Sequence, residues 1–367
     1  NASLNSSGGT ITLKSGGTST GSVVSLPGTT LVLENPLSLT GTTLKTNGTT
    51  FTTNANALTL SGGILEVSGT QNLGGVVPDN STTLRLAANS TISDNASLSV
   101  GTLDLANFAL TLDDQMAGLS IAQPVTLDAA GEKLVTGAAD LSLNGGISVT
   151  AGTLSSTGGT LGLPIGGTFA SGSSFSTSNT TLNLGGSLAV ADTWTITSTS
   201  ISLTTDNASL SSTAPLSLAS LQTNGYDFEL ASVTSDLTIE NAFALSGSET
   251  LSTRGADLIF ESSADISSGS TLDASGTDNS SGGGKLEFQL GGTDNGTINA
   301  RNATFKIGSA YTVTGTLKTN GSTTWDLGIS NLNLSRGTLE LGGDVTLDNI
   351  LTDNLTSFKL GEDATVT

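Results

Sequence analysis

Carboxylates are the main chemical resource of this sequence: 31 Asp and Glu stand against 11 Lys and Arg in 367 residues, with no His and no Cys. Without His there is no usual general base, no commonest metal ligand, and no Ser-His-Asp or Cys-His arrangement. Without Cys there is no disulfide framework, thiolate zinc site or cysteine nucleophile. What remains is a carboxylate pair acting as glycosidase acid and base, or acids gathered around calcium. Asp113-Asp114 offers adjacent acids, but its polar surroundings read as a solvated corner. Arg254 and Arg301 lie isolated in ordinary polar turns, so neither is a base beside clustered acids. We expect no catalytic residue, no cofactor-binding residue and no dedicated metal ligand.

Such residues would need a scaffold, and composition narrows which. Only 4% of residues are aromatic and 11% charged, too few for two ordinary globular cores, yet 35% are hydrophobic, which excludes disorder. Small aliphatics spread at even intervals suit a stack of short repeats. The net charge of −20 leaves no basic patch, so nucleic acid is excluded as a partner. No apolar run approaches the roughly 18 residues of a membrane-spanning helix. The chain starts at Asn1 without a signal segment, and we expect a mature or excised portion of a longer protein.

Runs such as Thr83-Leu84-Arg85-Leu86, Leu103-Asp104-Leu105, Leu237-Thr238-Ile239 and Leu339-Glu340-Leu341 alternate apolar with polar, the period of a half-buried strand. In mid-chain, Leu230, Leu251 and Leu272 recur every 21 residues. Leu216, Leu237 and Leu258, then Leu218, Ile239 and Phe260, then Leu245 with Ile266, keep the same step. Self-similarity of this length marks stacked repeats. The spacing predicts an all-β fold, a parallel β-helix (β-solenoid) of about 21 residues per rung and roughly seventeen rungs, forming one rod-shaped domain over residues 1–367. Leu44-Lys45-Thr46-Asn47-Gly48, Leu221-Gln222-Thr223-Asn224-Gly225 and Leu317-Lys318-Thr319-Asn320-Gly321 each precede a large apolar residue: Phe51, Phe228 and Trp325. Their Asn-Gly pairs suit solenoid corners; the neighbouring period argues against hairpins.

Two stretches break the period. Asp273 to Lys285, with Gly276-Thr277-Asp278-Asn279 at its centre, predicts a loop thrown out from the coil. Gly74 to Ser81 contains Pro78, which cannot donate to a ladder. The similar Gly292-Thr293-Asp294-Asn295 reads as a matching turn. Neither end carries an amphipathic cap, so the chain either continues in a longer protein or pairs end to end with other copies of itself.

The register also sets Asp236 over Asp257 and Glu240 over Glu261, all outward. Like charges so close need solvent, counterions or a bridging cation, and structural calcium is the one cofactor the sequence suggests. The Gly-Gly-x-Gly-x-Asp repeat and the EF-hand loop are both absent. Fourteen Asn-x-Ser/Thr sequons, among them Asn80, Asn320 and Asn354, reflect abundant Asn, Ser and Thr. Thr193-Trp194-Thr195-Ile196-Thr197 has the Thr-x-Thr pattern of ice-binding solenoids, but it does not recur at one position of every rung.

With its Gly-Thr-Leu and Thr-Leu-x-Leu strands, Asn-Gly corners and lack of Cys, the chain resembles the β-helical portions of autotransporter passengers and filamentous-haemagglutinin-like adhesins. The resemblance is one of style over nearly the whole chain. It implies a bacterial cell-surface or secreted fibre, non-enzymatic, either a structural filament subunit or a receptor- or glycan-binding adhesin whose partners are cell-surface or matrix ligands. Polygalacturonase-like β-helical enzymes pair their Asp residues with a His and an Arg-x-Lys strand, and neither is present here. An adhesin would carry its site on the loop near Asp278 or on an exposed aromatic, Tyr226 or Tyr311; a filament subunit would use its end rungs.

Overall fold

The computed structural model describes residues 3–93, 97–191, 193–231, 236–276, 283–345, 348–361 and 365–366. Among them are 51 short strands and no helix. The strands stack in parallel as a β-solenoid of about 17 turns of roughly 20 residues. The chain divides into two compact units, Asn1–Leu182 and Asn183–Thr367.

Alternation builds each unit from the strand upward. In Thr43–Asn47, Leu44 is buried while Lys45 is half exposed, and parallel pairing places Leu44 between Val24 and Leu65. Extended along one face, the inward column of the N-terminal unit reads Leu4, Val24, Leu44, Leu65, Leu84, Leu103. A second column runs through Leu110, Leu134, Leu154 and Phe175, and Leu110 pairs with Ser90 on its other side. Parallel pairing sets like on like, so each aliphatic is covered above and below and the outward positions form ladders of their own. The corners turn where left-handed backbone is cheap. Gly48 (φ 64) ends Thr43–Asn47, and Asn224 (φ 55) with Gly225 (φ 84) separates Ser220–Gln222 from Phe228–Leu230. The Asn-Gly pairs therefore turn corners within a coil.

In the C-terminal unit the predicted series Leu216, Leu237, Leu258 and Leu218, Ile239, Phe260 are paired as expected, as are Leu245 with Ile266 and Leu251 with Leu272. Leu230 is a correction. It pairs with Leu210, and Leu251 stacks on Phe228 instead, because the coil there takes 23 residues. Val76–Pro78 is a strand, paired with Leu58–Leu60; it lies at its sheet's edge, where the missing Pro78 N–H leaves no ladder partner unmatched. Gly292–Asp294 is a strand as well, not a turn. Within the expected excursion, residues 277–282, Asp278 among them, lie outside the described residues. Strands Thr271–Asp273 and Lys285–Phe288 flank them, and Leu258 pairs with Leu286, 28 residues on.

Rings replace aliphatics in the upper part of this unit. Phe260 stacks on Phe243 with centroids 4.9 Å apart and on Phe288 at 5.2 Å. Phe288 lies 4.4 Å from Tyr311 and 5.8 Å from Phe305, which meets Trp325 edge-on at 5.7 Å. The Phe260–Phe288 spacing is close to the roughly 4.8 Å rise of one coil, and these two rings, paired in register, stack, whereas Phe305 and Trp325, also paired in register, meet edge-on.

Candidate functional site

Outward positions pair by register in the same way as inward ones. Lys45, Glu66, Arg85 and Asp104 occupy one outward position of four successive coils, alternating in sign. Glu66 bonds Arg85 and lies 3.3 Å from Lys45. Burial pushes its carboxyl up, but the Arg85 and Lys45 contacts outweigh this and hold it below the usual range. Glu287 repeats the arrangement between Lys285 at 2.9 Å and Lys306 at 3.3 Å, again held below the usual range by its two cations against burial. Glu340 meets Lys359 at 3.3 Å and Arg301 at 3.6 Å, and Glu229 meets Arg254 at 2.6 Å. Arg254 is thus the partner of a glutamate one coil away and Arg301 of a glutamate two coils away.

Asp257 does stack beside Asp236, next to the Leu237 and Leu258 pair, and Glu261 beside Glu240. The column carries its own cation one coil further. The Lys285 amide donates to Asp257 Oδ1 at 2.6 Å, and its ammonium, raised chiefly by Glu287, also feels Asp257 and Asp236. Glu240 accepts the Ser217 hydroxyl at 2.7 Å. No group of three or more metal-ligating side chains occurs among the described residues. Asp114 accepts the Ala138 amide at 2.9 Å across a corner. A shallow groove lined by Asn207, Ser209, Asp227 and Glu229 runs along one face, but Asp227 accepts the Thr250 amide at 2.6 Å and Glu229 holds Arg254. These carboxylates are acceptors for the scaffold.

The tyrosines separate. Tyr226 is half-buried at the Asn224-Gly225 corner, whereas Tyr311 is 0% exposed and packs on Phe288. Tyr311 is therefore not an exposed aromatic: its position in Tyr311–Val313 faces inward, in line with Leu332. Trp194, 4% exposed, likewise faces the interior, which leaves Thr195 and Thr197 exposed on the outward face of that strand.

Sequence reasoning missed the corner brackets. Asp79-Asn80-Ser81-Thr82, Asn320-Gly321-Ser322-Thr323 and Asp353-Asn354-Leu355-Thr356 share one geometry. The first side chain accepts the amide two residues on, at 3.0, 3.2 and 3.0 Å. The threonine hydroxyl lies within hydrogen-bond distance of a carbonyl one coil below, Leu60, Ala300 or Leu334, at 3.1, 2.9 and 2.7 Å. Hydroxyl donors, Ser61 first and then Ser81, hold the Asp79 carboxyl far below the usual range. A search for Asp or Asn three residues before Thr at corner spacing would have found them. Two buried glutamates cap corners as well. Glu132 accepts the Asp128, Ala129 and Asn107 amides at 2.8, 3.3 and 3.4 Å. Glu249 accepts the Ser246 amide at 2.6 Å and the Thr223 hydroxyl at 3.1 Å.

Near the N-terminal end of its unit an apolar cavity of about 180 Å³ is lined by Leu4, Val24, Leu31 and Leu39. It exists because Gly17 and Ser19 stand where the next coil has Leu37 and Leu39. No helix among the described residues is long and apolar enough to cross a membrane. No family model matches the chain, and neither a curated protein nor a solved structure is significantly similar to it.

Proposed function

We propose that this chain is a non-enzymatic fibre element of the bacterial cell exterior, structural or adhesive, that works by reach and by pairing end to end. The observation that carries the reading is the occupation of its acids: Asp114, Asp227, Glu229, Glu240 and Asp257 each hold a backbone amide, a hydroxyl or a guanidinium of the scaffold. A stack that commits its titratable groups to holding coils together is built for persistence. Its net charge of −20 and its lack of Cys suit an exposed, soluble surface independent of disulfides. Pairing through the ends is supported by exposed apolar side chains there, Leu4 at 38% on Ser3–Asn5 and Phe358 at 43% on Ser357–Leu360, each on an outermost strand of its sheet. A further coil, of this chain or of another copy, would cover them.

Electron microscopy of the purified chain over a concentration series tests the assembly part: filaments that lengthen with concentration are expected, and uniformly short particles at high concentration would refute it. Release of reducing sugar from acidic or neutral polysaccharides by the same preparation would overturn the non-enzymatic part. The adhesive reading is favoured by one local feature, half-buried Tyr226 beside the Asp227 groove. On a glycan array, binding lost in Tyr226→Ala would assign that face to a saccharide.

A further inference from the structure

Asp294 is a buried acid with only one of its two carboxylate oxygens engaged. Its strand, Gly292–Asp294, lies between Ala264–Ile266 and Tyr311–Val313, and the register places it in the inward column Leu245, Ile266, Asp294, Val313, Leu334. The residue is 0% exposed. Oδ1 accepts the Gly296 amide at 2.9 Å. Oδ2 is buried with no partner, and so is the Tyr311 hydroxyl on the next coil. The titratable groups on the two strands packed against it are Asp265 and Tyr311. Asp265 is exposed, accepting the Thr293 amide and hydroxyl at 2.9 and 2.7 Å, so neither neighbour brings positive charge.

A carboxylate in such a place has one hydrogen bond and no counter-charge, and ionising it there is costly. Burial accordingly pushes the Asp294 carboxyl up to about 7 against the single Gly296 bond. Burial, with Asp294 and then Asp265 behind it, also pushes the Tyr311 phenol up. We propose that the coil carrying Asp294 is a pH-responsive element of the C-terminal unit, packed while the carboxyl is protonated and locally opened once it ionises. In the opened coil the carboxyl ionises in its ordinary range, so between that range and about 7 the packed coil keeps a proton that the open coil has released. The stabilisation is therefore fully present below the ordinary aspartate range, declines as pH rises, and is gone above the folded value. Opening would free the amides that bind the Asp294 carbonyl, Thr314 at 2.6 Å and Gly315 at 2.9 Å, and the Asn295 amide bound to Ile266 at 2.7 Å.

Hydrogen exchange of the full-length chain at pH 5, 6 and 7, corrected for intrinsic rates, tests this at those three amides. In the wild type, protection should fall by about tenfold per pH unit, the effect of one proton held in one state and not the other. In Asp294→Asn it should stay level. Asp294→Leu, which extends the aliphatic column, should also stay level and serves if the Asn variant does not fold. A decline of equal steepness in wild type and either variant would overturn the proposal, since it would then come from the chain's general acidity. A wild type with level protection would overturn it too.

Discussion

The two units solve the same packing problem with different side chains. Of the 14 Phe, Tyr and Trp, four lie in Asn1–Leu182 and ten in Asn183–Thr367. The acids divide in the same sense, 10 against 21. In the first unit the column Leu110, Leu134, Leu154 holds nothing but leucine until Phe175. In the second, Leu218 and Ile239 give way to Phe260 and Phe288 before Ile307. A leucine column is a set of similar layers, each able to close slightly over a defect above or below. A ring stack concentrates its contacts: Phe288 touches Phe260, Phe305 and Tyr311 at once. Local stability should therefore be more even in the first unit and more focused in the second.

Removing the ring tests that contrast most severely. Phe288→Ala should cost roughly 3–5 kcal/mol, with the stacking contribution included, whereas Leu134→Ala should fall near the lower end of the roughly 2–5 kcal/mol range for leucine. Urea unfolding followed by tryptophan fluorescence and by far-ultraviolet dichroism measures both, and equal costs would break the comparison. Smaller effects are expected at the capping glutamates. Glu132→Ala should cost about 2 kcal/mol, the worth of hydrogen bonds to a charged acceptor. Glu132→Gln should remain harmful because both oxygens accept amides, while Glu249→Gln should be nearly neutral because Oε2 has no donor to lose. Melting temperatures that fall equally for the two Gln variants would show that the caps are alike after all.

The smallest effect should be common to both units. Glu66→Gln and Glu287→Gln each remove an acid held between two cations and should cost about 1 kcal/mol or less, shrinking further in molar salt. Both carboxyls are held below their usual range, so their contribution is present above that range and lost as pH falls through the folded values. This is the opposite sense to Asp294. Acid titration of the two variants against wild type checks it: their stability should decline less steeply below the ordinary glutamate range.

Much of the fold was legible because it is local. Strand alternation in Thr83-Leu84-Arg85-Leu86 and the 21-residue step of Leu216, Leu237 and Leu258 depend on neighbours along the chain; the second set is paired at that step, while Leu84 pairs with Leu65 and Leu103 at 19 residues. The function-bearing details were less legible. Asp236 over Asp257 followed from the period, but the arrival of Lys285 on the same column required knowing that the next coil is 28 residues long. By sequence Tyr311 is one of two candidate exposed aromatics, and the inward register of Tyr311–Val313 buries it.

Composition and period thus determined that this protein is a β-solenoid with neither His nor Cys chemistry, since a repeat that buries every second residue can close only by stacking on itself. The tertiary structure alone decided which coil is long and which short, and hence which polar residues fall inside. A coil of 23 or 28 residues moves every later side chain along its face, and a shift by one residue exchanges the inner face for the outer. That is how Leu251 came to lie over Phe228, and how Asp294, in a sequence that reads as a turn, came to stand between Ile266 and Val313.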